Sequence, residues 1–410
     1  MSLVVRHSAT LAVNERLQAK RAAGEKVLHL GFGEAGLPVP PEIGAALAEA
    51  VQRNDYGPVA GSAAARRAAA GYFTRRGLET DPSRILFGPG SKSLLFALLM
   101  ALPGDVVLPR PSWVSYAAQA ALAGKRVIGV DIPAEAGGVP DPEQLDRVLT
   151  SAGSGAGVLV LTVPDNPTGT LAGPELVKAV CEVAARHGLV IVSDEIYRDL
   201  SHGEPVHSPA LELPDRTVVT AGLSKSTALG GYRIGFTRLP EGPLGERLRD
   251  DLIGIASEIW SSLPGPMQAV AEYVLEEPAE VRAHVDASRS LHRTVVSAVY
   301  DECVRAGAFC RPPQAGFYLY PDFEPLRDSL GVRTGAELAE TLLERFGVGV
   351  LAGEAFGDDP GALRFRVATS LLYGENAEQR WAALRSEEPL TLPWISGAIA
   401  HLREALAWWS

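Results

Sequence analysis

Short apolar runs, most of them rich in β-branched residues, alternate along this chain with Ala- and Leu-rich stretches of helical periodicity. A strand that is followed by a helix before the next strand returns to the same edge of a sheet, so the pattern dictates α/β architecture with a mainly parallel sheet. The expected strands cover 84–87, 105–108, 126–130, 158–163, 189–192, 217–221 and 234–237. Helical stretches such as 93–102 and 174–187 lie between them, the second closing on His187-Gly188, a C-cap pair. At 410 residues, 46% of them hydrophobic, the chain exceeds one ordinary core. A long helical stretch over 276–307 leads into a second set of strands at 316–321, 347–351 and 361–368, and an amphipathic helix over 395–408 closes the pattern. Two domains are expected: a large one over 40–285, and a smaller α+β one from 1–39 and 286–410. The Ser/Gly/Ala stretch at 151–157 reads as a flexible surface loop.

Charge and cysteine content remove several function classes. A net charge of −11 disfavours nucleic acid or an anionic membrane surface as partner. Cys181, Cys303 and Cys310 are widely spaced, without the pairing of a disulfide framework or a zinc site. No apolar leader opens the chain and no segment is long enough to span a bilayer, so a cytoplasmic location is expected. Gly31-Phe32-Gly33-Glu34-Ala35-Gly36 fits the G-x-G-x-x-G dinucleotide fingerprint. That site needs a helix starting within the glycines, and Leu37-Pro38-Val39-Pro40-Pro41 forces extended backbone instead. No nicotinamide or flavin is expected there.

The chemistry gathers elsewhere. Only six lysines occur, and none comes after Lys225, which sits in Ala221-Gly222-Leu223-Ser224-Lys225-Ser226 with Arg233 eight positions on. Alone it reads equally as a surface lysine in a loop. Thirty-one positions earlier stands Asp194, in Ser193-Asp194-Glu195-Ile196-Tyr197, and before it Pro164-Asp165-Asn166-Pro167-Thr168-Gly169. Together these motifs resemble the fold-type I pyridoxal-phosphate enzymes, specifically the class I/II aminotransferases, and the resemblance runs from Leu28 to Ala368.

The resemblance implies a three-layer large domain around a mainly parallel seven-stranded sheet, and pyridoxal 5′-phosphate as cofactor. Lys225 would carry it as a Schiff base. The phosphate would meet the amides of Ser91 and Lys92 at a helix N-terminus, with Arg233 as cation and Ser224 as hydroxyl; the Lys92 side chain reads as solvated. Asp194 would hold the ring nitrogen protonated, Asn166 and Tyr197 would meet the phenolic oxygen, and Trp113 would stack on the ring. Tyr56 would reach the phosphate of the neighbouring subunit. Gly33 would lie over the substrate, whose α-carboxylate would be gripped by Arg364 in Leu363-Arg364-Phe365-Arg366-Val367-Ala368. Arg366 shares its face in a strand and stands where the family has a small polar residue. Asn166, Asp194 and Lys225 each follow an expected strand, where ligands of open α/β sheets bind.

The activity this resemblance implies is amino-group transfer between an α-amino acid and a 2-oxo acid by a homodimer with shared sites. Lys225 would remove the Cα proton and return it to the cofactor's C4′, with ping-pong kinetics. The same scaffold also serves lyases, decarboxylases, cyclases and amino-acid oxidases. A pyridoxal-phosphate-binding regulator is the remote alternative, and it would carry a basic DNA-binding domain ahead of Gly33, where this sequence has only a short segment. Side-chain selection would fall to residues near Phe32, Glu34 and Trp260, and to the other subunit.

Overall fold

The computed structural model describes residues 9–152 and 155–408. Its central sheet has the strands β1 (Ile85–Pro89), β2 (Asp105–Arg110), β3 (Val127–Asp131), β4 (Ala156–Thr162), β5 (Val190–Asp194), β6 (Thr217–Gly222) and β7 (Ile234–Arg238). Each expected strand is present, most shifted by one or two residues at an end. The spatial order is β1-β7-β6-β5-β4-β2-β3, and every pairing is parallel except the two made by β7. That exception has a simple cause. No crossover helix separates β6 from β7, only the loop carrying Lys225, so the chain must return antiparallel.

The strands are apolar almost throughout because both faces are covered, with successive side chains pointing to opposite sides. Val106, Leu108, Val158, Val160 and Val192 join one core with helices α2 (Ser91–Ala101) and α3 (Val114–Leu122). Val107, Leu159, Leu161 and Ile191 join another with α4 (Pro174–Arg186). At about 1.5–3 kcal/mol for each fully buried aliphatic side chain, this two-sided burial holds the three layers together.

Further along, α5 (Ala279–Arg305) leads to a small antiparallel sheet of β8 (Tyr318–Leu319), β9 (Leu351–Ala352) and β10 (Phe365–Ala368), in the order β9-β10-β8. Helices α6 (Gly335–Phe346) and α7 (Pro393–Leu406) share a third core with it. Leu28–His29 pairs in parallel with Val348–Gly349, and Arg16 ties the N-terminal helix Ala9–Ala22 to Glu340 and Glu344. In the Ser/Gly/Ala stretch, helix Pro142–Ala152 runs up to position 152 and β4 opens at Ala156; positions 153 and 154 lie outside the described residues. No helix starts within the glycines of 31–36; the next one begins at Pro41. Among the described residues no helix is long and apolar enough to cross a membrane.

Candidate active site

Asp194 ends β5, Asn166 lies just beyond β4 and Lys225 just beyond β6, so all three stand at the carboxyl edge of the sheet. They line a cavity of about 560 Å³ that β8 and β10 close from the opposite side through Tyr318 and Arg366. One end of it is a cradle for an anion. Gly90, at φ +79°, caps the N-terminus of α2, and a Cβ there would lie 2.1 Å from Nη2 of Arg233. A Cβ on Gly235 would sit 2.3 Å from the Ser91 nitrogen. Only glycines let the helix amides and the guanidinium come this close. The arrangement suits a phosphate, with Ser224 also in the wall.

At the centre, Asp194 is 3% exposed. Burial lifts its carboxyl to about 6, opposed first by a hydrogen bond from Tyr116. Burial pushes the Lys225 amine down to about 8, helped by the nearby Arg366, while Glu34 and Asp194 pull it upward. Lys225 Nζ donates to the Gly33 carbonyl. An amine held near neutrality beside a buried carboxylate can act as nucleophile and base, while the carboxylate keeps a ring nitrogen protonated. Trp113 borders the cavity with Lys92 Nζ 5.0 Å from its ring centroid, and Tyr116 meets it edge-on at 5.2 Å. Cradle, carboxylate, amine and aromatic wall therefore fit pyridoxal 5′-phosphate. Among the described residues no His/Cys/Asp/Glu cluster suits a metal ion.

Of the residues singled out in the sequence, Gly33, Ser91, Lys92, Trp113, Asn166, Asp194, Tyr197, Ser224, Lys225 and Arg233 line this cavity. Two do not. Tyr56 is 91% exposed, on a loop outside the cavity of its own chain. Arg364 is turned outward: its Nε lies 2.8 Å from Asp322 Oδ2 and its Nη1 3.2 Å from Asp358 Oδ1. The carboxylate grip expected of Arg364 is corrected accordingly, because the side chain inside the cavity is Arg366. Arg364 lies one residue before β10 and bridges Asp322 in the register of the β10–β8 ladder, and the carboxylates of Asp322 and Asp358 hold its guanidinium away from the cavity.

Arg366 is 2% exposed. Its Nη1 donates to Asn166 Oδ1 at 3.1 Å and its Nη2 to the Gly31 carbonyl at 2.7 Å, while its Nε has no partner among the described residues. The guanidinium carbon stands 5.0 Å from the ring centroids of Tyr318 and Phe356. Asn166 also donates to Tyr197, whose hydroxyl shares a 2.9 Å hydrogen bond with that of Tyr318. Tyr318 and Tyr116 carry no motif of their own, and nothing in the sequence marks them as site residues. Phe32 and Glu34 line the cavity as expected for selectivity residues, whereas Trp260 packs in the core beside α2 and α3.

Residues 25–371 match the family model described as aminotransferase class I and II. The aspartate aminotransferase of Geobacillus stearothermophilus is 32% identical over 91% of this chain and 95% of its own length. The aspartate/prephenate aminotransferase of Cereibacter sphaeroides is 33% identical over 89% and 92%. Among solved structures, the aspartate aminotransferase of Thermus thermophilus with maleate superposes with a TM-score of 0.84 at 27% identity, covering 98% of this chain and 97% of that one.

Proposed function

The chain belongs to the class I and II aminotransferases, which work with pyridoxal 5′-phosphate, and on that premise we propose that it moves amino groups between dicarboxylic amino acids and their 2-oxo acids. The observation that carries this reading is a pair of cavity cations, Arg366 and Lys92, neither with a carboxylate partner among the described residues. Arg366 offers a planar fork to the α-carboxylate, and Lys92 a point charge to a second one. The names of the relatives, and the dicarboxylate maleate in the Thermus structure, support the same substrate class.

When bound, the cofactor supplies a carbonyl carbon for the incoming amine and a ring that withdraws electrons. The chain's own residues do the rest. Arg366 and Asn166 orient the substrate carboxylate. Lys225 Nζ, whose basicity burial lowers, would take the proton from Cα and deliver it to the carbon that the cofactor contributes to the amine. Asp194 holds the proton on the ring nitrogen, and the amides of Ser91 and Lys92 with Arg233 fix the phosphate.

A half-reaction screen tests the substrate class, following the holoenzyme's absorbance with each amino acid. Aspartate and glutamate are expected to react fastest. Lys92→Ala should cut kcat/KM for these two by roughly 10–100-fold, the worth of one charge-assisted hydrogen bond, and leave alanine unaffected. Glu34 also lines the cavity, so a wild-type preference for neutral or basic donors would overturn the dicarboxylate reading.

The proposed active unit is a homodimer in which Tyr56 completes the neighbour's phosphate cradle. Its near-total exposure within one chain supports this, since a phenol held out in water gains nothing there. Mixing inactive Tyr56→Ala and Lys225→Ala chains under subunit exchange should restore one intact site per hybrid dimer. Hybrids that form without regaining activity would place Tyr56 within its own chain's chemistry. The same reading takes 40–285 as the cofactor-binding domain and 1–39 with 286–410 as the smaller one, α5 running through the junction. It also takes the cytoplasm as the compartment, in keeping with three buried, unpaired cysteines.

A further inference from the structure

Tyr116 has a single proton to give, and its hydroxyl donates to Asp194 Oδ2 at 2.9 Å. The same oxygen lies 2.9 Å from Thr162 Oγ1. With the tyrosine proton committed to the carboxylate, Thr162 must donate to Tyr116, which gives a directed relay from Thr162 through Tyr116 to Asp194. Tyr116 is 1% exposed, and its ring is held edge-on against Trp113. One side chain thus touches both the carboxylate for the ring nitrogen and the aromatic wall of the cavity. Its hydroxyl and its ring are separable by substitution.

We propose that Tyr116 is a positioning residue for the cofactor: its hydroxyl, polarised by Thr162, fixes Asp194 as the ionised partner of the ring nitrogen. This rests on Asp194 being that partner. The physical reason is selective stabilisation. A hydroxyl that donates favours the carboxylate over the carboxylic acid, and in a buried site nothing else offsets so much of the desolvation cost. Among the contributions that oppose burial at Asp194, the Tyr116 hydrogen bond is the largest, with the Ile196 amide and then the Thr220 hydroxyl next, and Lys225 also acts in that direction. The other titratable neighbours are Tyr197, which feels the Asp194 charge, and Asp165, which acts on Tyr116 from the loop after β4. Neither replaces the donor. Without the hydroxyl, Asp194 takes up its proton at higher pH, and its hold on the ring nitrogen is lost there too.

The test is equilibrium dialysis of Tyr116→Phe holoenzyme against pyridoxal 5′-phosphate between about pH 5 and 9, read beside the circular dichroism of the bound cofactor. Phe keeps the contact with Trp113 and removes only the hydroxyl. Wild-type affinity should fall as pH drops through the Asp194 transition. In Tyr116→Phe the fall should move up by about one pH unit, a roughly fivefold weaker affinity near pH 6 with little change at pH 9. Thr162→Val should shift it the same way by less, and it carries the test alone if Tyr116→Phe does not fold. A curve that superposes on wild type, or an equal weakening at every pH, overturns the proposal and leaves Tyr116 as packing. Asp194→Asn separates the two layers of inference. If it binds cofactor as wild type does at all pH values, the Asp194 assignment itself fails. If it weakens binding while Tyr116→Phe changes nothing, only the relay fails.

Discussion

Lys225→Ala is expected to fold and to lose turnover by three or more orders of magnitude, since one substitution removes the covalent anchor and the base together. Folding should survive for a reason visible in the site. The amine is buried deeply enough for desolvation to drive its pKa down to about 8, and it donates a hydrogen bond to the Gly33 carbonyl. An alanine there removes a group that resists burial, so the folded state loses little and thermal unfolding should shift only slightly. Reduction of wild-type holoenzyme with borohydride and peptide mapping should find the pyridoxyl group on Lys225. Lys92 is the competing amine, because it lines the same cavity and burial, with Arg233 nearby, also lowers its pKa. A label on Lys92, or on any of the other lysines, would remove the central assignment.

Much of this site is legible in the sequence because strand ends carry it. Burial on both sheet faces makes β4, β5 and β6 read as short runs rich in Val, Ile and Leu, and the functional polar residues at or beyond their ends stand out. The prolines after Gly36 likewise rule out a helix among the glycines, which the extended backbone up to Pro41 matches. Other features depend on what the chain meets in space. The reversed direction of β7 comes from a missing crossover helix, a clue present in the sequence but masked by the apolar character of its neighbours. Tyr116 looks like one more aromatic in a helix, and its meaning comes from Asp194, far along the chain. Lys92 is a surface lysine by sequence, and only the fold sets its side chain beside Trp113. The register of the arginines failed for a similar reason. Two arginines spaced by two are equivalent in a strand, and what separates them is the pair of acids, Asp322 and Asp358, contributed by other loops.

That pair of arginines yields the sharpest remaining expectation. Arg366→Ala should raise KM for amino-acid substrates by about 30- to 1000-fold, the worth of a bidentate charge-assisted contact of roughly 2–4 kcal/mol, while cofactor affinity stays near wild type. Arg364→Ala should leave KM within a few-fold. Its guanidinium is 38% exposed and occupied by two carboxylates, so its loss costs at most about 1 kcal/mol of stability after solvent screening. The unfolding behaviour adds a second, independent discriminator. Among the described residues Arg366 is a buried cation without an acidic partner, held by Asn166, the Gly31 carbonyl and two aromatic faces, and burial lowers its pKa. Such a charge resists burial until an anion arrives, so Arg366→Met should unfold at the same temperature as wild type or higher without substrate, and gain less when a dicarboxylate is added. Arg366→Lys keeps the charge but loses the planar fork, and it should recover little of the KM. If Arg364→Ala instead carried the large KM increase, the two arginines would have exchanged roles, and the cavity with Arg366 inside would not be the substrate-bound arrangement.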